Sequence, residues 1–325
     1  MSRFEAVVER FPLKGAFAIS RGSVDEVEVV RAVVAEGTTF GQGECRPYPR
    51  YGETADGVVD AIMALRPNVE RGLTRQELGR LMPPGAARNA VDCALLDLEA
   101  KLEGRPAHEL LGLPAPQPVA TAFTLALGTP DAMAEAARAT PWPLYKLKLG
   151  GAGDLDRVRA VREAAPEARL VADANEAWDE AMLRAFLPDL AALGVETVEQ
   201  PLHADRDAPL DDIESPVTLC ADESCHDAAS LGHLRRGYGM VNVKLDKTGG
   251  ITGALDLVRA ARGRGLKVMV GCMMGSSLAM APAMLLAPLA DLVDLDAPLW
   301  LKADRHPPLR AGDGLVCPAE AELWG

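Results

Sequence analysis

Hydrophobic and polar positions follow two different rhythms along the chain. In the first part, Val7–Arg10 and Val27–Val34 are short runs of β-forming residues that predict strands. Thr38–Tyr51, rich in Gly, Pro and Tyr, reads as a loop. Ala87, Ala90, Val91, Ala94, Leu95, Leu98 and Leu102 recur at intervals of three and four. That spacing predicts a helix over Ala86–Leu102, stopped by Gly104. Pro114, Pro116 and Pro118 then read as a linker.

From Val119 the texture becomes short strand, helix, short strand. The predicted strands are Val119–Leu125, Tyr145–Leu149, Leu170–Ala174, Thr197–Glu199, Thr218–Ala221, Met240–Leu245, Lys267–Gly271 and Leu292–Leu295. Alanine-rich amphipathic segments such as Ala177–Leu193 and Gly253–Arg264 lie between them. Strands alternating with helices imply parallel pairing through helical crossovers. The expected fold is α/β: a modified TIM barrel, (β/α)7β, over residues 118–300. An N-terminal α+β capping domain over 1–117 would be completed by the tail 301–325.

Composition narrows the function classes. The 325 residues carry 34 basic and 47 acidic side chains, a net charge of −13, and 48% are hydrophobic. That is too apolar for disorder. The absence of any Lys/Arg cluster argues against nucleic acid or an anionic membrane as partner. The charged N-terminus MSRFEAVVERF lacks the apolar stretch of a signal peptide, so a cytoplasmic protein is expected. Six scattered cysteines without a CxxC pair read as free thiols, and five histidines include neither HxH nor HExxH. Val268–Ala290 carries no charge, but Gly271, Gly275, Ser276, Ser277, Pro282 and Pro288 interrupt it. A buried strand followed by a buried helix is expected there, not a membrane span.

The charged residues at the strand ends are the most regular feature. Lys148, Asp173, Glu199, Asp222, Lys244, Gly271 and Asp294 follow one another at 25, 26, 23, 22, 27 and 23 residues, each one βα unit. In a (β/α) barrel this rim is where catalysis occurs. Asp173, Glu199 and Asp222 come from three successive strands, with Asn175 on the face of Asp173. Three converging carboxylates with no His or Cys call for a hard cation, Mg²⁺ in the first place, with Mn²⁺ an alternative. Lys146 and Lys148 share one face of the second strand. Lys244 lies on the sixth, across the barrel, with Asp246 expected on its own face. A lysine beside like charge has a lowered pKa, so Lys148 is expected to serve as a base near neutral pH. Amines on opposite walls suit removal of a proton from one face of a carbon and its return to the other.

Magnitudes explain the cation. Turnover near ~10 s⁻¹ allows a barrier of ~16 kcal/mol. At ~1.36 kcal/mol per pKa unit, the gap between carbon acid and base cannot exceed ~12 units. A proton α to an ionised carboxylate lies beyond that reach for lysine alone, so the enediolate must be stabilised by Mg²⁺ and Lys146. On the last strand, Asp294 and Asp296 would repel phosphate and attract a substrate ammonium.

These residues resemble the enolase superfamily, muconate-lactonising subgroup, whose lysine base and Mg²⁺-stabilised enediolate are a general pattern. The segments GECRPYPRYGE at 43–53, PGAARNAVDCALLDLEA at 84–100 and DLDAPLWL at 294–301 are similar to those of the L-Ala-D/L-Glu dipeptide epimerases. The resemblance implies Mg²⁺ on Asp173, Glu199 and Asp222. It makes Lys148 and Lys244 the acid/base pair, Lys146 the carboxylate's assistant, and Asp294 with Asp296 the holders of the α-ammonium. It further implies substrate contacts from Thr124 and from Arg21, the latter to the side-chain carboxylate of a substrate glutamate. Asn175, Glu223 and Asp246 would support the site, and Tyr48, Arg50 and Tyr51 would shape a loop near it. Where cycloisomerases of the subgroup carry a glutamate after the seventh strand, this chain has Gly275, which argues against lactonisation. The implied activity is epimerisation of a murein-type dipeptide. β-Elimination from the same enediolate, as in o-succinylbenzoate synthases or sugar-acid dehydratases, is the alternative, and a non-catalytic binding barrel a distant third. The pattern leaves a homo-oligomer open, since barrel helices are apolar for core and interface alike.

Overall fold

The computed structural model describes residues 3–325. Its chain begins with an antiparallel sheet of β1 (Arg3–Ile19), β2 (Gly22–Glu36) and β3 (Thr39–Cys45), ordered β1-β2-β3. The first two strands run well beyond the short predicted runs. The third corrects the sequence reading, because Thr39–Cys45 is a strand and not part of a loop. Its glycines are there for packing. A Cβ on Gly43 would lie 2.2 Å from the Ala90 carbonyl oxygen, and one on Gly41 2.1 Å from that of Ala94. Both carbonyls belong to the helix Ala86–Glu103, which lies across this sheet and ends at Gly104 in the left-handed conformation (φ 62°). Gly43→Ala is therefore expected to lower stability by about 1–3 kcal/mol through overpacking, read as a drop in the urea midpoint at unchanged slope.

After β4 (Val119–Ala120), eight parallel strands form the second sheet: β5 (Phe123–Leu125), β6 (Leu144–Lys148), β7 (Arg169–Asp173), β8 (Val195–Glu199), β9 (Thr218–Ala221), β10 (Met240–Val243), β11 (Lys267–Gly271) and β12 (Leu292–Asp294). They pair in sequence order from β5 to β12, and the Ala122 N–H donating to the Val293 carbonyl at 2.9 Å nearly closes the ring. This is the expected α/β barrel, with helices such as Glu180–Ala192 and Ile251–Gly263 on its outside. The predicted first strand is split, for Val119–Ala120 leaves the barrel to pair with β14 (Leu315–Val316), itself the partner of β13 (Ala311–Gly312). The uncharged stretch forms β11, the buried helix Ser277–Ala283 and a 3₁₀ turn. Among the described residues no helix is long and apolar enough to cross a membrane.

The N-terminal sheet and its helix cover the carboxyl ends of the barrel strands. Arg88 donates to the Thr248 and Gly249 carbonyls, and Asp92 accepts from the N–H and hydroxyl of Thr252, so the long helix is latched to the loop after β10. The tail returns to the first sheet, where Gln42 Nε2 donates to the Leu323 carbonyl and the Gly325 N–H to Asp97. All six cysteines are free thiols.

Candidate active site

A cavity of about 570 Å³ lies between the N-terminal sheet and the open ends of the barrel strands. Thr124, Lys146, Lys148, Asn175, Asp222 and Lys244 line it from the barrel side, as do Glu223, Asp294 and Asp296; Arg21, Arg46, Tyr48 and Arg50 come from the N-terminal segment. Strand alternation puts Lys146 and Lys148 on one face, and the parallel register sets Lys148 beside Asp173 and Asp173 beside Glu199. In the ring of eight, β6 and β10 are four strands apart, so Lys148 and Lys244, at their ends, stand on opposite walls.

Every acid of the predicted trio is buried and meets ammonium groups. Lys148 Nζ lies 2.6 Å from Asp173, and Lys146 Nζ lies 3.2 Å from Asp173, 2.7 Å from Glu199 and 2.8 Å from Asp294. Asp222 receives Lys244 and Lys247, each at 2.7 Å. Burial opposes ionisation of Asp173, yet Lys148 and Lys146 hold it at about 2. Asp222 is likewise buried and still lies well below the usual carboxylate range, because Lys244 and Lys247 flank it. Burial, then the charges of Asp173 and Asp222, push Glu199 upward. At Lys244 opposite charge outweighs like charge. Burial favours its neutral form, but Asp222 and Glu199 outweigh that and raise it above the ordinary lysine value.

Among the described residues no three acids are preformed to hold an ion, since the amines stand between them. The donor chemistry nevertheless suits a hard divalent cation: three buried carboxylates on adjacent strands, with no sulfur or imidazole. Asn175 Oδ1 is buried and receives no hydrogen bond, as an oxygen awaiting a cation or a donor would be.

Supporting residues fall less evenly. Asn175 donates its N–H to Asp173 Oδ1 at 3.0 Å from a left-handed backbone (φ 43°). Glu223 is pushed to about 7 by burial and the adjacent Asp222, although Arg21 lies 2.8 Å from it. Asp246 corrects the sequence reading. β10 ends at Val243 and a helical turn starts at Leu245, so Asp246 does not share the face of Lys244. It accepts from Asn89 Nδ2 at 2.8 Å and from the Arg46 N–H at 3.0 Å, joining the barrel to its cover. Arg21 is already paired, with Glu223, Glu176 and the Tyr48 hydroxyl. Arg50 forms a two-pronged pair with Glu176 at 2.9 Å.

At the far wall, Asp296 Oδ2 accepts the Thr124 N–H at 2.6 Å, while Asp294 takes Lys146. Burial and the charge of Asp294 push Asp296 to about 6, and no cation of the described residues pairs with it. Gly275 also gains a reason. A Cβ there would lie 3.1 Å from Glu44 Oε1, and Glu44, held by Arg305 and the Ser276 N–H, fills the space beside the loop after β11.

Two family matches decide the relationship. Residues 130–318 match the enolase C-terminal domain-like family, and residues 3–112 the mandelate racemase/muconate lactonizing enzyme N-terminal domain. The chain belongs to the enolase superfamily. Within it, the L-Ala-D/L-Glu epimerase of Escherichia coli (strain K12) is 46% identical over 94% of this chain and 96% of its own. An N-acetyl-D-glutamate racemase of Pseudoalteromonas sp. is 43% identical over 91% and 95%. A crystal structure from Agrobacterium tumefaciens, an enolase family member with homology to dipeptide epimerases holding sodium and L-Ala-L-Glu, superposes with a TM-score of 0.98. It is 50% identical and fully covered on both sides. A dipeptide epimerase of Cytophaga hutchinsonii complexed with Mg and D-Ala-L-Val, 26% identical, superposes with a TM-score of 0.88 over 98% of this chain and 93% of its own. As an enolase superfamily member with such relatives, this chain is an isomerase.

Sequence reasoning missed several residues that build this superfamily site. Gln200, next to Glu199 and itself left-handed (φ 36°), accepts the N–H groups of Asp222 and Ser224 through Oε1. Asn242 Nδ2 donates to Glu199 at 2.7 Å. Lys247, Glu176, Glu44 and Arg46 likewise carried no signal of period or spacing; the cues were the adjacency of Gln200 and Lys247 to residues already chosen and the place of Glu44 and Arg46 in the family-like segment 43–53.

Proposed function

We propose that this enzyme is a Mg²⁺-dependent dipeptide epimerase interconverting L-Ala-L-Glu and L-Ala-D-Glu, with Mn²⁺ able to replace Mg²⁺. The observation that carries the reading is the pair of lysines on opposite walls, with buried carboxylates between them. Asp173, Glu199 and Asp222 would hold the cation. A divalent ion there supplies charge that lowers the acidity barrier of a proton α to a carboxylate.

The rest is the work of the chain's own side chains. Asp296, buried beside Asp294 and lacking a cation, takes the substrate's α-ammonium, while the Thr124 N–H fixes its orientation. With the ammonium at β12 and the carboxylate toward β7–β9, the α-carbon of the second residue falls between Lys148 and Lys244. One amine removes its proton and the other delivers a proton to the opposite face, which inverts the centre. Lys146, in contact with Asp173, Glu199 and Asp294, donates toward the substrate carboxylate as negative charge builds on it. The cover formed by Arg21, Tyr48 and Arg50 excludes water from the reacting carbon.

The ammonium assignment separates a dipeptide from an N-acylated amino acid. Asp296→Asn is expected to lower kcat/KM for L-Ala-L-Glu about tenfold or more, the scale of one charge-assisted hydrogen bond, and to spare N-acetyl-L-glutamate. Equal losses on both substrates would remove Asp296 from ammonium binding. Turnover of N-acetyl-L-glutamate alone would overturn the dipeptide reading.

A further inference from the structure

Charged residues mark one barrel strand end after another at the interval of one βα unit, but on β11 the beat falls on Gly271. The backbone there does not call for glycine, since Gly271 lies outside the left-handed region. Space does. A Cβ on Gly271 would lie 2.5 Å from Asn242 Oδ1 and 2.8 Å from Asn242 Nδ2, so the room is taken by a side-chain amide of the neighbouring strand β10. That amide is an unusual tenant. Two residues earlier on the same strand faces stand Met240 and Met269, which with Val171 and Cys220 belong to an apolar cluster inside the barrel. Asn242 is fully buried directly above them. Its Nδ2 donates to Glu199 Oε1 at 2.7 Å, while its Oδ1 has no partner among the described residues. A buried amide left half unsatisfied is costly, and a leucine of nearly the same shape would avoid the cost. The contact that sets Asn242 apart from a leucine is the one to Glu199.

We propose that Asn242 is a positioning residue for the cation site: seated in the gap left by Gly271, it pins one oxygen of Glu199 so that the other stays turned toward Lys146 and the cavity. The inference rests on the reading of Asp173, Glu199 and Asp222 as cation ligands. Glu199 has two polar partners of opposite kinds. Lys146, 2.7 Å from Oε2, is shared with Asp173 and Asp294 and lines the cavity, so it occupies the place that a divalent ion would contest. Asn242 is neutral and does not line the cavity, so it neither competes with an ion for Glu199 nor repels it. Once Lys146 yields, the bond from Nδ2 is what keeps the carboxylate in one orientation. A second ammonium in its place would cancel the charge an ion needs, and an apolar side chain would leave the carboxylate unheld. Gly271 completes the device, because any larger residue would push the amide off Glu199.

The test titrates MgCl₂ calorimetrically into the full-length, metal-free wild type, Asn242→Leu and Gly271→Ala, and records the thermal midpoint of each without Mg²⁺. Asn242→Ala replaces Asn242→Leu if the latter fails to fold. The Mg²⁺ concentration giving half-maximal epimerisation of L-Ala-L-Glu is a third readout. Loss of the Asn242 amide should raise the Mg²⁺ dissociation constant about ten- to a hundredfold and move the half-maximal concentration the same way, with a smaller fall in kcat at saturating Mg²⁺. Gly271→Ala should reproduce the weakening, although it leaves both Asn242 and Glu199 chemically intact, because its methyl group displaces the amide. Wild-type Mg²⁺ affinity in either folded variant, with at most a lowered thermal midpoint, would reduce the Asn242–Gly271 pair to packing and overturn the inference while leaving the cation reading intact. Failure of the wild type itself to bind Mg²⁺ is a distinct result that defeats the cation reading, and this inference with it.

Discussion

Alanine in place of Lys148 or of Lys244 should lower epimerisation of L-Ala-L-Glu by roughly 10²–10⁴-fold, the range spanned by loss of one positioned acid or base. The protein should remain folded in both cases, and the structure says why. Asp173 keeps Lys146 when Lys148 is removed, and Asp222 keeps Lys247 when Lys244 is removed. Neither truncation strands a buried carboxylate without a partner, which is the costly outcome. Steady-state polarimetry with far-UV circular dichroism checks both halves of this expectation. Loss of activity with loss of the folded signal would assign these amines to the scaffold and not to the chemistry.

Asp222→Asn should be more damaging to the protein as a whole. This carboxylate faces both Lys244 and Lys247, and Lys247 is fully enclosed, donating also to the Asp222 and Cys225 carbonyls. Without the acid two buried ammonium groups lose their counter-charge, which should cost about 3–5 kcal/mol of stability. The same change removes one donor from the proposed cation set, so Mg²⁺ titrated into the variant should give a weaker calorimetric isotherm and a smaller rise in thermal midpoint than in the wild type. The pH dependence has a defined sign. Asp222 and Asp173 both sit below the unfolded carboxylate value, so their stabilisation is present above about pH 4 and is lost as pH falls toward about 2. The Asp222→Asn variant should show a shallower acid limb. A wild-type slope and midpoint in the variant would contradict the charge arrangement described for this wall.

Much of this site was legible because a parallel barrel makes strand ends recur. One βα unit takes 22 to 27 residues here, and Lys148, Asp173, Glu199, Asp222, Lys244 and Asp294 keep that beat. Alternation within a strand correctly paired Lys146 with Lys148. The same rule failed at Asp246, because it was carried one turn past the point where β10 gives way to a helix, and the change of period turned the side chain toward Asn89. The missed strand Thr39–Cys45 has a related cause. Gly41 and Gly43 look like loop residues locally, but they are needed where a helix carbonyl approaches the sheet, a contact more than 40 residues away in sequence. Arg21 and Arg46 show the remaining limit. Both are single arginines near a motif, and only the fold reveals that one is paired with acids and the other is not.

The central claim is that Lys148 and Lys244 serve opposite faces of one α-carbon. It is tested most directly by incubating L-Ala-L-Glu and L-Ala-D-Glu separately in D₂O with Lys148→Ala and with Lys244→Ala, and following α-deuterium in the unreacted dipeptide by mass spectrometry. The account predicts a crossed pattern, in which each variant still exchanges the α-proton of one epimer and has lost exchange of the other, with the preference reversed between the two variants. Loss of exchange from the same epimer in both variants would place the two amines on one face and contradict it.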